Sequence, residues 1–450
     1  MSGLDVPAHE TARAVRAGEV TARRVAAETS ARAADRNPAL NAICTFNPAF
    51  EAEAETVAQR LAAGADLPLA GVPILIKDNI WVKGLRIAAG SRLFADHIAP
   101  EDAESVRRLR EAGAMILGVA TCTEFACKGA ADSPLYGITR NPVDLALTPG
   151  GSSSGAAAAV AAGIVPLALG TDAGGSSRRP PAHVGVYGLK PTLDLIPYGP
   201  GFTEPVPQIS VICPIAREMD DIALAMSVLA GTGPETPGRI RIAASADFGT
   251  GQPLDPDVGS CFDAALAAIT TAGGAVETAT IDWPPNTAGV DVLPLQYAGL
   301  ANLYGEEWRA DPQRFDPVIS DQIKTGLALS GADVSEALQA SDRMRATLNA
   351  ALAKYGVIAT PTTPCAAWPA ELLAPPEIGG RPAAPRDHAA FTSQVNHAGC
   401  PAISIPCGHN SVGRPLGLQL IAAPGKDAAL IGLAQDIALI LEGPDRCASS

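Results

Sequence analysis

The chain has 450 residues, 47% of them hydrophobic and 4% aromatic, which supplies an aliphatic, alanine-rich core and excludes a disordered chain. Its 47 acidic residues outnumber the 33 basic ones for a net charge of −14, without a lysine-arginine cluster, so nucleic acid and anionic membrane surfaces are excluded as partners. Nine cysteines with no C-x-x-C pair and six histidines with no ligand spacing point to free thiols in a reducing compartment and to no metal site.

The start, MSGLDVPAHETARAVRAGEV, lacks the basic stretch and apolar run of a secretory signal, so a cytoplasmic location is expected. Residues 8–34 place Ala12, Val15, Val20, Val25 and Ala26 near helical spacing, which predicts an amphipathic helix or helix pair. A strand at 41–46 and an Ala/Glu-rich helix at 48–63 follow. Residues 71–80, GVPILIKDNI, read as a strand buried on both faces with Lys77 at its end. A lysine there is either paired with Asp78 or another acid, or kept for chemistry.

A charged helix at 100–112, a strand at 115–119 and a turn-rich stretch at 121–134 continue a helix-strand alternation. Residues 148–191 predict one long small-residue helix held between two glycine-serine turns. Beyond them come a helix at 218–229, a Pro/Gly stretch at 231–238, a strand at 240–244, a helix at 260–272 and a strand at 276–281. Residues 289–355 are mostly helical in pattern and 357–360 a buried strand. The proline-rich segment 364–388 has little periodicity and is a candidate lid. A hairpin, 402–406 with 415–422, and a helix at 427–441 close the chain.

No internal repeat or clear boundary appears, although length alone allows about three domains. We therefore expect one domain, 1–450, with a helical segment 1–65, a core 66–230 and a C-terminal part 239–445. The fold class expected is α/β: a large mixed, mostly parallel central sheet flanked by helices on both faces.

Three readings compete for the glycine-serine block. Gly151 to Gly155 matches G-x-S-x-G around Ser153, but Pro149 and glycine break the strand that such an elbow needs. A phosphate cradle lacks both the G-x-x-x-x-G-K-[ST] and G-x-G-x-x-G spacings. Plain flexible loops are the third. Serine chemistry needs a base, amides aimed at an oxyanion and a proton donor, and a lysine made neutral by burial serves as the base.

GVPILIKDNI, TPGGSSSGAAAAVAAGIVPLALGTDAGGSSRRPPAHVGVYGLKPT and the late VIATPTTP and CPAISIPCG resemble, in order, the amidase signature family of Ser-Ser-Lys amide hydrolases, across about 60–425. ATCTEFACKG resembles the broad-specificity and aryl-acylamide members, with Ala120 and Thr121 where that pattern has Thr and Asn.

The resemblance implies Lys77 as base, Ser152 as the bridging serine after a cis Gly151–Ser152 bond, and Ser176 as nucleophile. It also implies an oxyanion hole of the amides of Ala173, Gly174, Gly175 and Ser176. Arg178 is expected to pair with Asp172. Arg179 is expected either to recognise a substrate carboxylate or to pair with an internal acid, with Tyr136 and Ser153 as further substrate contacts.

The substrate expected is a small or aryl amide, with carbamates (urethanes) and urea-like compounds carrying the same carbonyl and leaving nitrogen. No cofactor is expected, and the state expected is monomer or homodimer. The rival is a glutamine-using amidotransferase A-type subunit, although the G-Y-Y-D-A-Y-Y-like segment of such subunits is missing near 325–345. Specificity is expected from loops 121–136, 195–210 and 364–388.

Overall fold

Buried aliphatic runs spaced by helices assemble into one eleven-stranded sheet in the computed structural model, which describes residues 6–236 and 238–443. Cys447 and the first and last residues of the expected domain lie outside the described residues. In chain order the strands are β1 (Ile43–Phe46), β2 (Pro73–Lys77), β3 (Met115–Ala120), β4 (Leu167–Asp172), β5 (Tyr187–Lys190) and β6 (Val211–Ala216). The second half adds β7 (Arg241–Ala244), β8 (Ala275–Thr278), β9 (Val357–Pro361), β10 (Ala402–His409) and β11 (Pro415–Ala422). They lie in the order β1-β3-β2-β4-β6-β5-β10-β11-β9-β7-β8.

The sheet is mixed, as expected, but not mostly parallel: of its ten neighbouring pairs six are antiparallel and four parallel. Parallel pairs occur where a helix crosses over, at β2 with β3 and β4 and at β7 with β8 and β9. Strands β5 and β6 are joined by the 191–210 loop without a crossover α-helix and run antiparallel; β10 and β11 form the expected hairpin. All six residues of β6 are buried, so its sequence carries no alternation to show its direction.

Both faces of the sheet are covered. Along β2, Ile74 and Ile76 enter one apolar layer and Leu75 the other. Helices Met219–Ala230 and Asp427–Glu442 fill the first; Ala22–Leu40, Phe50–Ala62 and Ser154–Ala161 fill the second. The N-terminal pattern resolves into two helices, Ala8–Arg16 and Ala22–Leu40, the second capped by the Thr21 hydroxyl accepting the Arg24 amide at 3.1 Å. The 289–355 pattern becomes Leu293–Ala310, Pro317–Ala328 and Gly331–Tyr355.

The small-residue block departs from expectation. Its helix spans only Ser154–Ala161, and the rest of the run is β4, an interior strand of the sheet. Gly163 at φ +65° and Pro166 end the helix, and the buried aliphatic run that follows suits a strand. The proline-rich segment is also ordered: Cys365, Trp368 and Ile378 pack together, and Glu377–Ile378 pairs with Arg381–Pro382. The eight described cysteines are free. No helix of the described residues is long and apolar enough to cross a membrane.

Gly155 sits in the first turn of the block helix, where a Cβ would lie 2.3 Å from the Ala42 carbonyl oxygen and 2.4 Å from the Thr121 hydroxyl. Gly155→Ala is therefore expected to lower stability by about 1–3 kcal/mol in urea unfolding, because the backbone must shift to admit it.

Candidate active site

Parallel pairing of β2 with β4 sets Ile76 beside Leu169 and brings Lys77 next to Thr171 at the same end of the sheet. Lys77 is fully buried, and its Nζ donates to Ser152 Oγ at 2.9 Å and to Thr171 Oγ1 at 2.8 Å. Among the described residues it makes no ion pair. Asp78, the alternative partner weighed from sequence, turns away and accepts the amides of Ala88 and Gly90 at 2.9 and 2.8 Å. Burial lowers the Lys77 pKa from its ordinary value, since an ammonium without a carboxylate partner loses its hydration.

Ser152 follows a cis Gly151–Ser152 peptide bond, as expected. It and Ser176 line one cavity of about 170 Å³, together with Ala173 and Gly174 of the glycine turn. That turn is shaped by Asp172, whose Oδ1 accepts the Gly175 amide at 2.7 Å and whose Oδ2 accepts the Ser177 amide at 3.1 Å. The Gly175 amide is thus already committed, which removes it from the expected oxyanion donors. The amides of Ala173, Gly174 and Ser176 take no acceptor among the described residues. Gly175 itself sits at φ +109°, with Thr392 Oγ1 2.3 Å from where a Cβ would stand, so only glycine fits.

Arg178 holds Asp172 with both ends of its fork, at 3.0 Å to each oxygen, and extends to Gln419 at 2.8 Å. Asn396 adds a donor to Asp172 Oδ1 at 2.8 Å. Burial alone would raise this carboxyl, but the Arg178 charge and hydrogen bonds outweigh it and hold the pKa well below the carboxylate range. Arg179 is buried on the cavity wall, with His388 rather than an acid as its partner.

Two expected substrate contacts lie elsewhere. Tyr136 packs under Arg86, whose guanidinium is 5.6 Å from its ring centre, and does not line the cavity. Ser153 is fully buried beneath it, bonded to the Thr171 carbonyl and to Ser177 Oγ, each at 3.2 Å. Other side chains, not singled out from sequence, surround Lys77 and the cavity. Thr171 and Asn79 meet at 3.1 Å beside Lys77. Glu204, on the wall, accepts Ser210 Oγ at 3.1 Å and also binds Tyr198, and burial pushes its carboxyl up. Arg386 arrives from the proline-rich segment. All three loops named from sequence thus reach the wall, through Phe125, Glu204 and Arg386.

Comparison with known proteins defines the class, a hydrolase of carbon-nitrogen bonds. The Amidase family model matches residues 24–431, and the chain belongs to the amidase signature family. Curated relatives include the A-type subunit of glutamyl-tRNA(Gln) amidotransferase from Deinococcus deserti, 36% identical over 94% of each protein. The corresponding protein from Symbiobacterium thermophilum is 33% identical over 93% of each. Among solved structures, the one that revealed the evolutionary origins of an s-triazine catabolic enzyme has a TM-score of 0.87 at 28% identity, covering 96% of this chain and 98% of that one. A bacterial aryl acylamidase, 24% identical, shares the fold with a TM-score of 0.89 over 97% of each chain.

Removing Arg178 leaves a buried carboxylate without its cation. Arg178→Ala is expected to cost about 3–5 kcal/mol of stability, read as a lowered denaturant midpoint.

Proposed function

We propose that the chain cleaves the C–N acyl bond of a small amide through Ser176, with Ser152 as proton carrier and Lys77 as base. The observation that carries this is the 2.9 Å contact between a buried, acid-free Lys77 and Ser152, in a cavity that Ser176 also lines. Neutral Lys77 takes the Ser152 proton while Ser152 takes that of Ser176, whose oxygen then bonds to the substrate carbonyl carbon. The amides of Ala173, Gly174 and Ser176 meet the negative oxygen. Ser152 returns the proton to the leaving nitrogen, the C–N bond breaks, and water releases the acyl group from Ser176 as an acid. Carbamates and urea-like compounds offer the same carbonyl and leaving nitrogen. Family membership supports this chemistry for the chain as a class.

The fate of the nitrogen divides two readings. The names of the curated relatives favour an amidotransferase A-type subunit that passes ammonia to a partner. The missing G-Y-Y-D-A-Y-Y-like segment supports a free-standing hydrolase. Ammonia or amine release from amides by the purified chain alone supports the second; glutamine cleavage that appears only with a co-purifying protein supports the first.

Lysine acts as a base only when neutral, so kcat/KM should rise with pH through the Lys77 pKa, on a limb below the ordinary lysine value of about 10.5. Lys77→Met should abolish that limb and lower kcat by at least about 100-fold. Intact-mass detection should show an acyl adduct on the native chain and none on Ser176→Ala; turnover retained by Ser176→Ala would remove the nucleophile assignment.

A further inference from the structure

A buried cation is ordinarily matched by an acid. Two arginines on the wall of this cavity, Arg179 buried and Arg386 half-buried, are not. Arg179, first residue of the helix Arg179–Val184, is 3% exposed, and its Nε has no partner among the described residues. Its Nη1 lies 2.8 Å from the His388 Nδ1. Burial, then the charges of Arg179 and Arg386, hold His388 well below the ordinary histidine pKa, so the ring is neutral and accepts this bond. A neutral acceptor orients the guanidinium without cancelling its charge. Trp368 packs against the same ring at 4.9 Å between centres and fixes its place.

Arg386 enters the cavity from the end of the proline-rich segment and donates from Nη2 to the Cys127 carbonyl at 2.9 Å, again a neutral partner. Neither arginine makes an ion pair among the described residues. The other charged side chains on the wall have partners of their own, ionic for Lys128 and neutral for Glu204 and Asp387. Lys128 is matched by Asp132 at 2.8 Å and by Asp316. Burial raises the Glu204 carboxyl, which is taken up by Tyr198 and Ser210. Asp387 accepts the Ala384 amide at 2.7 Å. Burial and the neighbouring Arg386 draw Arg179 down only to about 9, which leaves it cationic at neutral pH.

We propose that Arg179 and Arg386 receive a carboxylate of the substrate, so that the preferred amides carry a carboxylate a few bonds from the scissile carbonyl. Dicarboxylic acid monoamides have this form, and so does L-glutamine. The assignment rests on the reading that Ser176 cleaves an amide in this cavity. A guanidinium fork matches the two oxygens of a carboxylate, and fixing that remote group orients the carbonyl before attack. The anion also relieves the repulsion between the two arginines.

The test compares succinamate with butanamide, which have the same chain length and differ in the carboxylate. The native chain should prefer succinamate in kcat/KM, and Arg179→Gln should lower the preference ratio by about 10- to 100-fold, the strength of hydrogen bonds to a charged group. Arg179→Lys should lower it less. An equal loss on both amides, or a native preference for butanamide, overturns the proposal. Thermal unfolding checks each variant, and Arg386→Gln is read on the same ratio if Arg179→Gln does not fold.

Calorimetry of succinate on Ser176→Ala separates this proposal from the hydrolytic reading. Succinate bound by Ser176→Ala, with neither amide turned over by the native chain, sinks the hydrolytic reading and keeps the carboxylate site. Butanamide turnover with no succinate binding sinks the carboxylate site alone.

Discussion

An ammonium group sealed at the end of β2 with hydroxyls and no carboxylate around it is the constraint that the rest of the site answers. Taking that group out of water favours its neutral form, and the surrounding donors and acceptors then decide where its lone pair points. Thr171, bonded to both Lys77 and Asn79, fills one side of the nitrogen and leaves Ser152 on the other. The arrangement depends on β2 and β4 running parallel, because only then do the ends bearing Lys77 and Thr171 meet. A paired lysine would have been a stable strand end and nothing more.

Asp172, one residue beyond Thr171, carries the opposite solution to burial. It stays ionised because Arg178, Asn396 and two backbone amides compensate it fully. The same carboxylate therefore shapes the turn that presents Ser176. Around the ends of β2 and β4 the fold gathers a lysine whose charge is disfavoured by isolation, an acid kept charged by company, and a guanidinium oriented by a neutral imidazole. Burial is common to all three; partner chemistry separates them.

Much of this was legible in the order of residues. The run from Val72 to Ile76 announced a doubly buried strand, and the resemblance to the amidase signature motifs singled out Lys77, Ser152 and Ser176, which the structure brings to one end of the sheet. Strand direction was not legible in β5 and β6, because residues buried on both faces carry no alternation. The Gly175 amide could not be discounted from sequence, since its capture by Asp172 depends on a turn geometry. Tyr136 was misplaced for a similar reason: aromatic character marks a good contact surface but not which cavity it faces. Arg386 sat in a segment recognised as special, yet a single arginine among prolines carries no signal until the loop is folded.

The brace around the glycine turn has a consequence for how the molecule comes into being. Thr392, Asn396 and Gln419, which hold Gly174, Asp172 and Arg178 in place, are made more than two hundred residues after the turn they secure. A ribosome that has released the lysine and both serines has still not released what orders them. The brace is complete only once β10 has paired with β5, β11 with β10, and the last third of the polypeptide is in place.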